Sequence, residues 1–180
     1  LGDTRFLIIG SGIAESYHMR WFLSHLPDDG SVRVKSLGLD MVGLTIAGPK
    51  AREVLQKCSR TDISHDAMRF MAVREMDVGM TPAIVGRVSY TGDLGYEIWV
   101  KPASLARLYD DLMAAGSDFD IRPFGARALN ALRLEKNYGS WGREYRPLHG
   151  TDEVGLHRCI AYDKAADFIG KIATLDERDN

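Results

Sequence analysis

Between residues 42 and 123 the apolar positions change period several times, and each change marks an element. VGLTIAG (42–48) alternates and predicts a strand. PKAREVLQKC (49–58) then puts Ala51, Val54, Leu55 and Cys58 on one helical face, with Pro49 at the first turn. RFMAVREMDV, AIVGRVSY and YEIWV return to strand patterning. SLARLYDDLMAAG turns Leu105, Leu108, Tyr109 and Leu112 to one side of a helix that stops near Gly116, and FDIRP predicts a last short strand. The order strand, helix, strands, helix, strand predicts an α+β protein. Its sheet is antiparallel with helices on one face, of the ferredoxin-like split βαβ kind.

The flanking segments are less regular. TRFLII reads as a short strand, and SGIAESYHMRWFLSHL as a helix with Met19, Phe22, Leu23 and Leu26 on one face, ended by Pro27. SVRVKSL alternates as a strand would. After residue 123, GARALNALRLEKN predicts a helix. YGSWGREYRPLHGTDEVGL has no periodicity and reads as a loop, and FIGKIATLDERDN is a short helix or frayed end. The chain opens at Leu1 directly on a turn and a strand, which suggests a piece of a longer protein.

Composition narrows the classes. The 180 residues carry a formal net charge of -2, so no basic excess points to nucleic acid or an anionic membrane. The longest apolar run, Phe6 to Ile9, is far too short to span a bilayer, and no signal peptide is visible. Cys58 and Cys159 stand alone, without a zinc or redox spacing, and fit free thiols in a reducing compartment. The five histidines show no ligand spacing, so no metal site is expected.

Several stretches carry candidate chemistry. IIGSGIAES (8–16) has a G-x-G, but Glu15 occupies the sixth position of the dinucleotide fingerprint and would repel a pyrophosphate; a turn and helix entry is the simpler reading. Arg133 and Glu135 in LRLEKN fit structural pairing. In NYGSWGREY, Tyr138, Trp141 and Arg143 set flat aromatic surfaces beside hydrogen-bond donors, which suits either a planar heteroaromatic ligand or a self-packed loop. The sharpest stretch is RVSYTGDLGYEIWV (87–100), a hairpin with Gly92 and Gly95 about Asp93, and with Tyr90 and Glu97 on either side of the turn. A carboxylate on an inward strand position is costly unless paired. Two partners suit Glu97. One is a ligand edge with two adjacent N–H donors, such as the N3–H and 2-amino group of a pterin. The other is Arg87, or plain exposure on an edge strand.

SYTGDLGYEIWV resembles the R-T-G-Y-T-G-E-D-G-F-E-I hairpin of the aminomethyltransferase family, which includes the T-protein of glycine cleavage. LTIAGPKAREVLQ resembles that family's L-x-G-P-x-A-x-x-x-L segment. RPFGARALNALRLEKNYGSWGRE is similar to its G-A-R helix, with the SWGRE variant resembling the dimethylglycine and sarcosine dehydrogenase-like branch. The resemblance implies a tetrahydrofolate site with Glu97 on the pterin edge, Tyr90 against the folate and Arg127 nearby. Trp141 is carried as a further binding candidate from the loop's own chemistry. It also implies capture of an amine-derived methylene unit to give methylenetetrahydrofolate, delivered by an FAD domain outside this chain or by a lipoyl carrier protein. The family's catalytic Asp has no counterpart here, and Ala128 stands where an Asp commonly follows the arginine. By this likeness residues 1–40 and 124–170 belong to a first folate-binding subdomain, 41–123 to the ferredoxin-like one, and 171–180 lead toward a barrel beyond the chain. A bacterial cytoplasm or a mitochondrial matrix fits equally. The alternatives are a glycine-cleavage aminomethyltransferase, or a non-catalytic folate-binding or interaction module. The folate proteins linked to iron–sulfur assembly carry a K-G-C-Y-x-G-Q-E-like motif, which EKNYGSWGRE lacks.

Overall fold

The computed structural model describes residues 2–179 and divides into two compact units, Leu1–Lys136 and Asn137–Asn180. The first unit is built on a four-stranded sheet of β1 (Val42–Ala47), β2 (Val73–Val78), β3 (Thr81–Gly86) and β4 (Gly95–Val100). The spatial order is β1-β4-β3-β2, and every neighbouring pair is antiparallel. Around the sheet the chain forms α1 (Glu15–Ser24), α2 (Ala51–Cys58), α3 (Leu105–Gly116) and α4 (Ala126–Glu135).

Strand alternation fixes which side is the core. Tyr96, Ile98 and Val100 of β4 are buried with Val85 of β3, Met76 and Val78 of β2 and Ile46 of β1. Against them pack Ala51, Val54 and Leu55 of α2 and Leu108 and Leu112 of α3. The buried Tyr96 hydroxyl accepts a hydrogen bond from Arg52 Nε at 3.0 Å, so the phenol enters the core with its polar tip satisfied. The opposite face of the sheet is left to Gly43, Thr45, Gly86, Glu97 and Trp99.

Two glycines shape the β3–β4 hairpin differently. Gly92 takes φ +75° at the turn, where the Lys136 side chain occupies the space a Cβ would need. Gly95 is instead the first residue of β4 and is required by closeness. A Cβ there would lie 2.6 Å from Ser89 Cβ and 2.9 Å from the Ile46 carbonyl oxygen. Gly95→Ala is therefore expected to destabilise by about 1–3 kcal/mol, read as a lower midpoint in urea unfolding.

The expectations for the central segment hold except at its end. Residues 119–123 form no strand; β2, β3 and β4 follow one another as a meander, giving β-α-β-β-β-α where a closing α-β was expected. Residues 4–9 and 31–37 form no strand either. Alternation marks a segment with a face to bury, but a strand also needs a neighbouring strand for its N–H and C=O groups, and among the described residues these segments pair with none. Phe6 is accordingly 79% exposed. The helix expected after residue 11 forms, yet α1 buries none of its residues, and Leu23 lies in solvent. In α3, Tyr109 is exposed although its spacing points inward; Leu108 and Leu112 are buried against the sheet, with Leu105 and Ala115 partly buried beside them.

In the second unit, α5 (Lys171–Asp179) is the one α-helix among the described residues. The Glu177 carboxylate on α5 accepts the backbone N–H groups of Thr151 at 3.1 Å and Asp152 at 3.0 Å. Gly150 leaves room for it, since any Cβ there would collide with that carboxylate. Cys58 and Cys159 are both free thiols; burial, then the nearby Asp111, pushes the Cys58 thiol up from its ordinary pKa. No helix of the described residues is long and apolar enough to cross a membrane.

Candidate functional site

Glu97 sits in the middle of β4, opposite Thr45 on β1 and Gly86 on β3. Its neighbours Tyr96 and Ile98 point into the core, so its own side chain stands on the other face. That carboxylate is half-buried and has no hydrogen bond or ion pair among the described residues. Burial alone pushes its pKa above the ordinary glutamate value. Arg87, the partner that would have made it a structural ion pair, is engaged elsewhere. Arg87 Nη1 donates to the Met68 carbonyl at 2.8 Å, and Nη2 lies 3.3 Å from His65 Nδ1.

The raised pKa gives a stability prediction with a definite sign. The protonated carboxyl is favoured in the fold, so the penalty for the ionised form is absent below the unfolded pKa of about 4.3 and complete above the folded one. Glu97→Gln is expected to raise Tm at pH 7 by about 1–3 °C, and the gain should vanish in melts near pH 3.

Tyr90 lies in the turn between β3 and β4, half-buried. A hydroxyl network holds this turn: Ser89 Oγ and Thr91 Oγ1 are 2.7 Å apart, and the N–H of Asp93 donates to Thr91 Oγ1 at 3.3 Å. Thr91 is buried, which gives Tyr90 a rigid base. The end of α4 meets the tip, with Lys136 Nζ 3.8 Å from Asp93 Oδ1. Arg127 belongs to the other end of that helix, roughly 13 Å along its axis at 1.5 Å per residue. Its side chain is exposed and makes no hydrogen bond or ion pair among the described residues. Arg133, further along α4, is 2% exposed and donates to Asn130 Oδ1 through Nε at 3.1 Å and Nη2 at 2.8 Å.

Trp141 lies in the second unit, where it forms an isolated bridge with Tyr145. The Tyr145 hydroxyl accepts the Gly139 N–H at 3.2 Å, and the Gly142 N–H, at φ +79°, donates to the Tyr145 carbonyl at 2.8 Å. The loop thus packs some of its own aromatics while Tyr138 remains exposed.

Other sequence features resolve simply. Residues 8–11 form no strand before the helix, and Gly12–Ala14 is a 3-10 turn that leads into α1. His25 packs its ring 3.9 Å from the Trp21 ring, and its Nδ1 lies 2.8 Å from the Trp21 carbonyl. No cluster of metal-ligating side chains occurs among the described residues.

One residue was overlooked in the sequence. Trp99 shares the face of Glu97, two positions along β4, and its half-buried indole lies across the neighbouring strands. Its Cδ1 would be 3.0 Å from a Cβ on Gly43 of β1, and its Cη2 3.0 Å from one on Gly86 of β3. Beyond it, Trp99 also lines a shallow cleft of about 450 Å³ with Met41, Pro82, Ile84 and Lys101, and Glu97 stands outside that cleft. The readable signal was parity: Trp99 has the phase of Glu97, and both flanking strands carry glycine beside it.

Comparison of the sequence with known proteins gives its family. Residues 1–164 match the GCVT N-terminal domain family. The chain is 39% identical over 168 residues to human mitochondrial dimethylglycine dehydrogenase, covering 93% of this chain and 19% of that protein. It is 29% identical over 177 residues to an aminomethyltransferase of Alkaliphilus metalliredigens, covering 98% of this chain and 47% of the relative. It is 30% identical over 181 residues to an aminomethyltransferase of Bacillus cereus, covering 99% and 48%. The chain therefore spans about a fifth to a half of the length of these relatives. Among solved structures, heterotetrameric sarcosine oxidase from Corynebacterium sp. U-96 aligns with a TM-score of 0.47 at 19% identity, over 54% of this chain and 49% of that one. With the match running through both the sheet and the helix that follows it, the chain belongs to the GCVT N-terminal domain family.

Proposed function

We propose that this chain binds tetrahydrofolate and serves transfer of a one-carbon unit from a methylated amine, as part of a dimethylglycine or sarcosine dehydrogenase-like protein. The observation that carries the reading is the Glu97 carboxylate: half-buried, without a partner among the described residues, and held by a rigid strand. Such a group is paired by the fold or kept for a ligand, and Arg87 does not pair it. A pterin edge offers two adjacent N–H donors, which one carboxylate accepts together.

Bound tetrahydrofolate would supply the nucleophilic nitrogens, so the chain's own work is binding, orientation and exclusion of water. Glu97 would fix the ring's register. Tyr90, on its hydroxyl-braced turn, would close one side. Arg127, an exposed guanidinium at the start of α4, suits an anionic part of the ligand. An FAD domain outside this chain would generate the one-carbon unit. A second reading, a glycine-cleavage aminomethyltransferase supplied by a lipoyl carrier, is favoured by the bacterial relatives, which the chain matches over nearly all of its own length.

Calorimetric titration of 5-formyltetrahydrofolate into the chain and into Glu97→Ala tests the proposal. Binding that disappears in the variant, with its melting curve intact, is the expected outcome. Equal binding by both would remove Glu97 from the site.

A further inference from the structure

We propose that Trp99 is the stacking wall of the ligand site, the surface against which the planar ring read by Glu97 lies. The inference rests on the folate reading and names a specificity-determining residue within it.

Three observations converge. Glu97 and Trp99 project from the same face of β4, about 7 Å apart along the strand. The indole does not stand away from the sheet; it crosses it, with Cδ1 at Gly43 and its six-membered ring at Gly86. Gly86 is also the direct cross-strand partner of Glu97. The benzo end of the indole therefore leans back into the row of the carboxylate, over the one β3 position that has no side chain to stop it. A Cβ on Gly86 would lie 3.0 Å from Cη2 and 3.1 Å from Cζ3, and one on Gly43 would lie 2.7 Å from the Ile98 carbonyl oxygen and 3.0 Å from Cδ1. The two glycines hold a berth for the ring to lie flat.

Chemistry supplies the occupant. A carboxylate fixes the edge of a heterocycle but leaves its plane free to rotate about the hydrogen-bonded axis. An aromatic wall beside it selects one plane and favours a flat conjugated ring over a saturated or branched one. The indole suits that task, because its large π face can stack on the conjugated pyrimidine half of a pterin.

The test uses 5-formyltetrahydrofolate and free pterin (2-amino-4-hydroxypteridine) as probes, titrated by calorimetry into the 180-residue chain, Trp99→Leu, Trp99→Phe, Gly86→Val and Glu97→Gln. Trp99→Leu is expected to weaken both probes about 5- to 50-fold, and Trp99→Phe to recover part of the loss. Gly86→Val, which keeps the indole but lifts it, should weaken binding in the same direction. Trp21 and Trp141 also fluoresce, so the Trp99 signal is read as the difference between the parent and Trp99→Phe, and adding ligand should change that difference spectrum. Far-ultraviolet circular dichroism of each variant separates loss of binding from loss of fold; if Trp99→Leu unfolds, the affinities of Trp99→Phe and Gly86→Val still decide. If the parent binds, Glu97→Gln does not, and the Trp99 and Gly86 variants bind as the parent does, the stacking wall is refuted while the folate reading stands. If the parent binds neither probe, the folate reading fails and this inference with it.

Discussion

Glu97→Gln is expected to weaken 5-formyltetrahydrofolate binding by about 100-fold or more, measured by calorimetry at pH 7. Two charge-assisted hydrogen bonds to one carboxylate are worth about 1.5–3 kcal/mol each. Glutamine retains one acceptor and turns an N–H donor toward a donor on the ligand, so the loss exceeds that of one bond, and 2.7 kcal/mol already amounts to about 100-fold. The fold should not suffer, because the core lies on the other face of β4. The same residue sets a pH profile. Only the ionised carboxylate accepts both N–H groups, and burial holds its pKa above the ordinary value. Affinity should thus fall on acidification before an exposed glutamate would titrate, and the variant's residual binding should be flat over that range. A profile unchanged by the substitution would assign the titration to another group.

Ile98→Ala should produce the opposite pattern. Ile98 is fully buried between the sheet and the two helices that cover it. Removing its outer atoms leaves a cavity lined by close-packed neighbours, at a cost of about 2–5 kcal/mol. For a chain of this size that lowers Tm by roughly 5–15 °C. Urea unfolding should show a lower midpoint at an unchanged slope. Below the new midpoint, ligand affinity should stay within about threefold of the parent, since no atom of the site has been removed. A cost below about 1 kcal/mol would mean that α2 and α3 do not seal this face.

Much of the sheet could be read from the sequence because its strands alternate cleanly and its helices carry one apolar stripe. Val54 and Leu55 fall inward as their spacing demands, and so do Leu108 and Leu112. The errors in the flanking segments share one cause. Phe6, Ile8 and Leu23 are apolar enough to suggest buried elements, but periodicity reports a surface to be covered and not what covers it. The strand expected at 119–123 failed differently: Phe119 and Ile121 do pack against the core, but from a short 3-10 turn and an irregular stretch that pairs with no strand among the described residues. In the site, Glu97 was legible because a carboxylate amid strand residues is an anomaly. Trp99 was not, because an aromatic in a strand is ordinary, and only its phase relative to Ile98 shows that it faces away from the core. Arg127 was legible as a helix-start residue, but its distance from the hairpin tip depends on the direction of α4, which no local pattern encodes.

The alternation along β4 has a further consequence for how this strand tolerates change. Positions 96, 98 and 100 answer to the packed helices, whereas 97 and 99 answer to whatever lies on the open face. A library randomised at 97 and 99 alone should therefore stay folded across most of its members while sampling new ligand chemistries. One randomised at 96 and 98 should be mostly lost before any ligand is offered. The strand separates the conditions for folding from those for recognition at single-residue intervals, so selection could redirect this scaffold's ligand preference without first having to stabilise it.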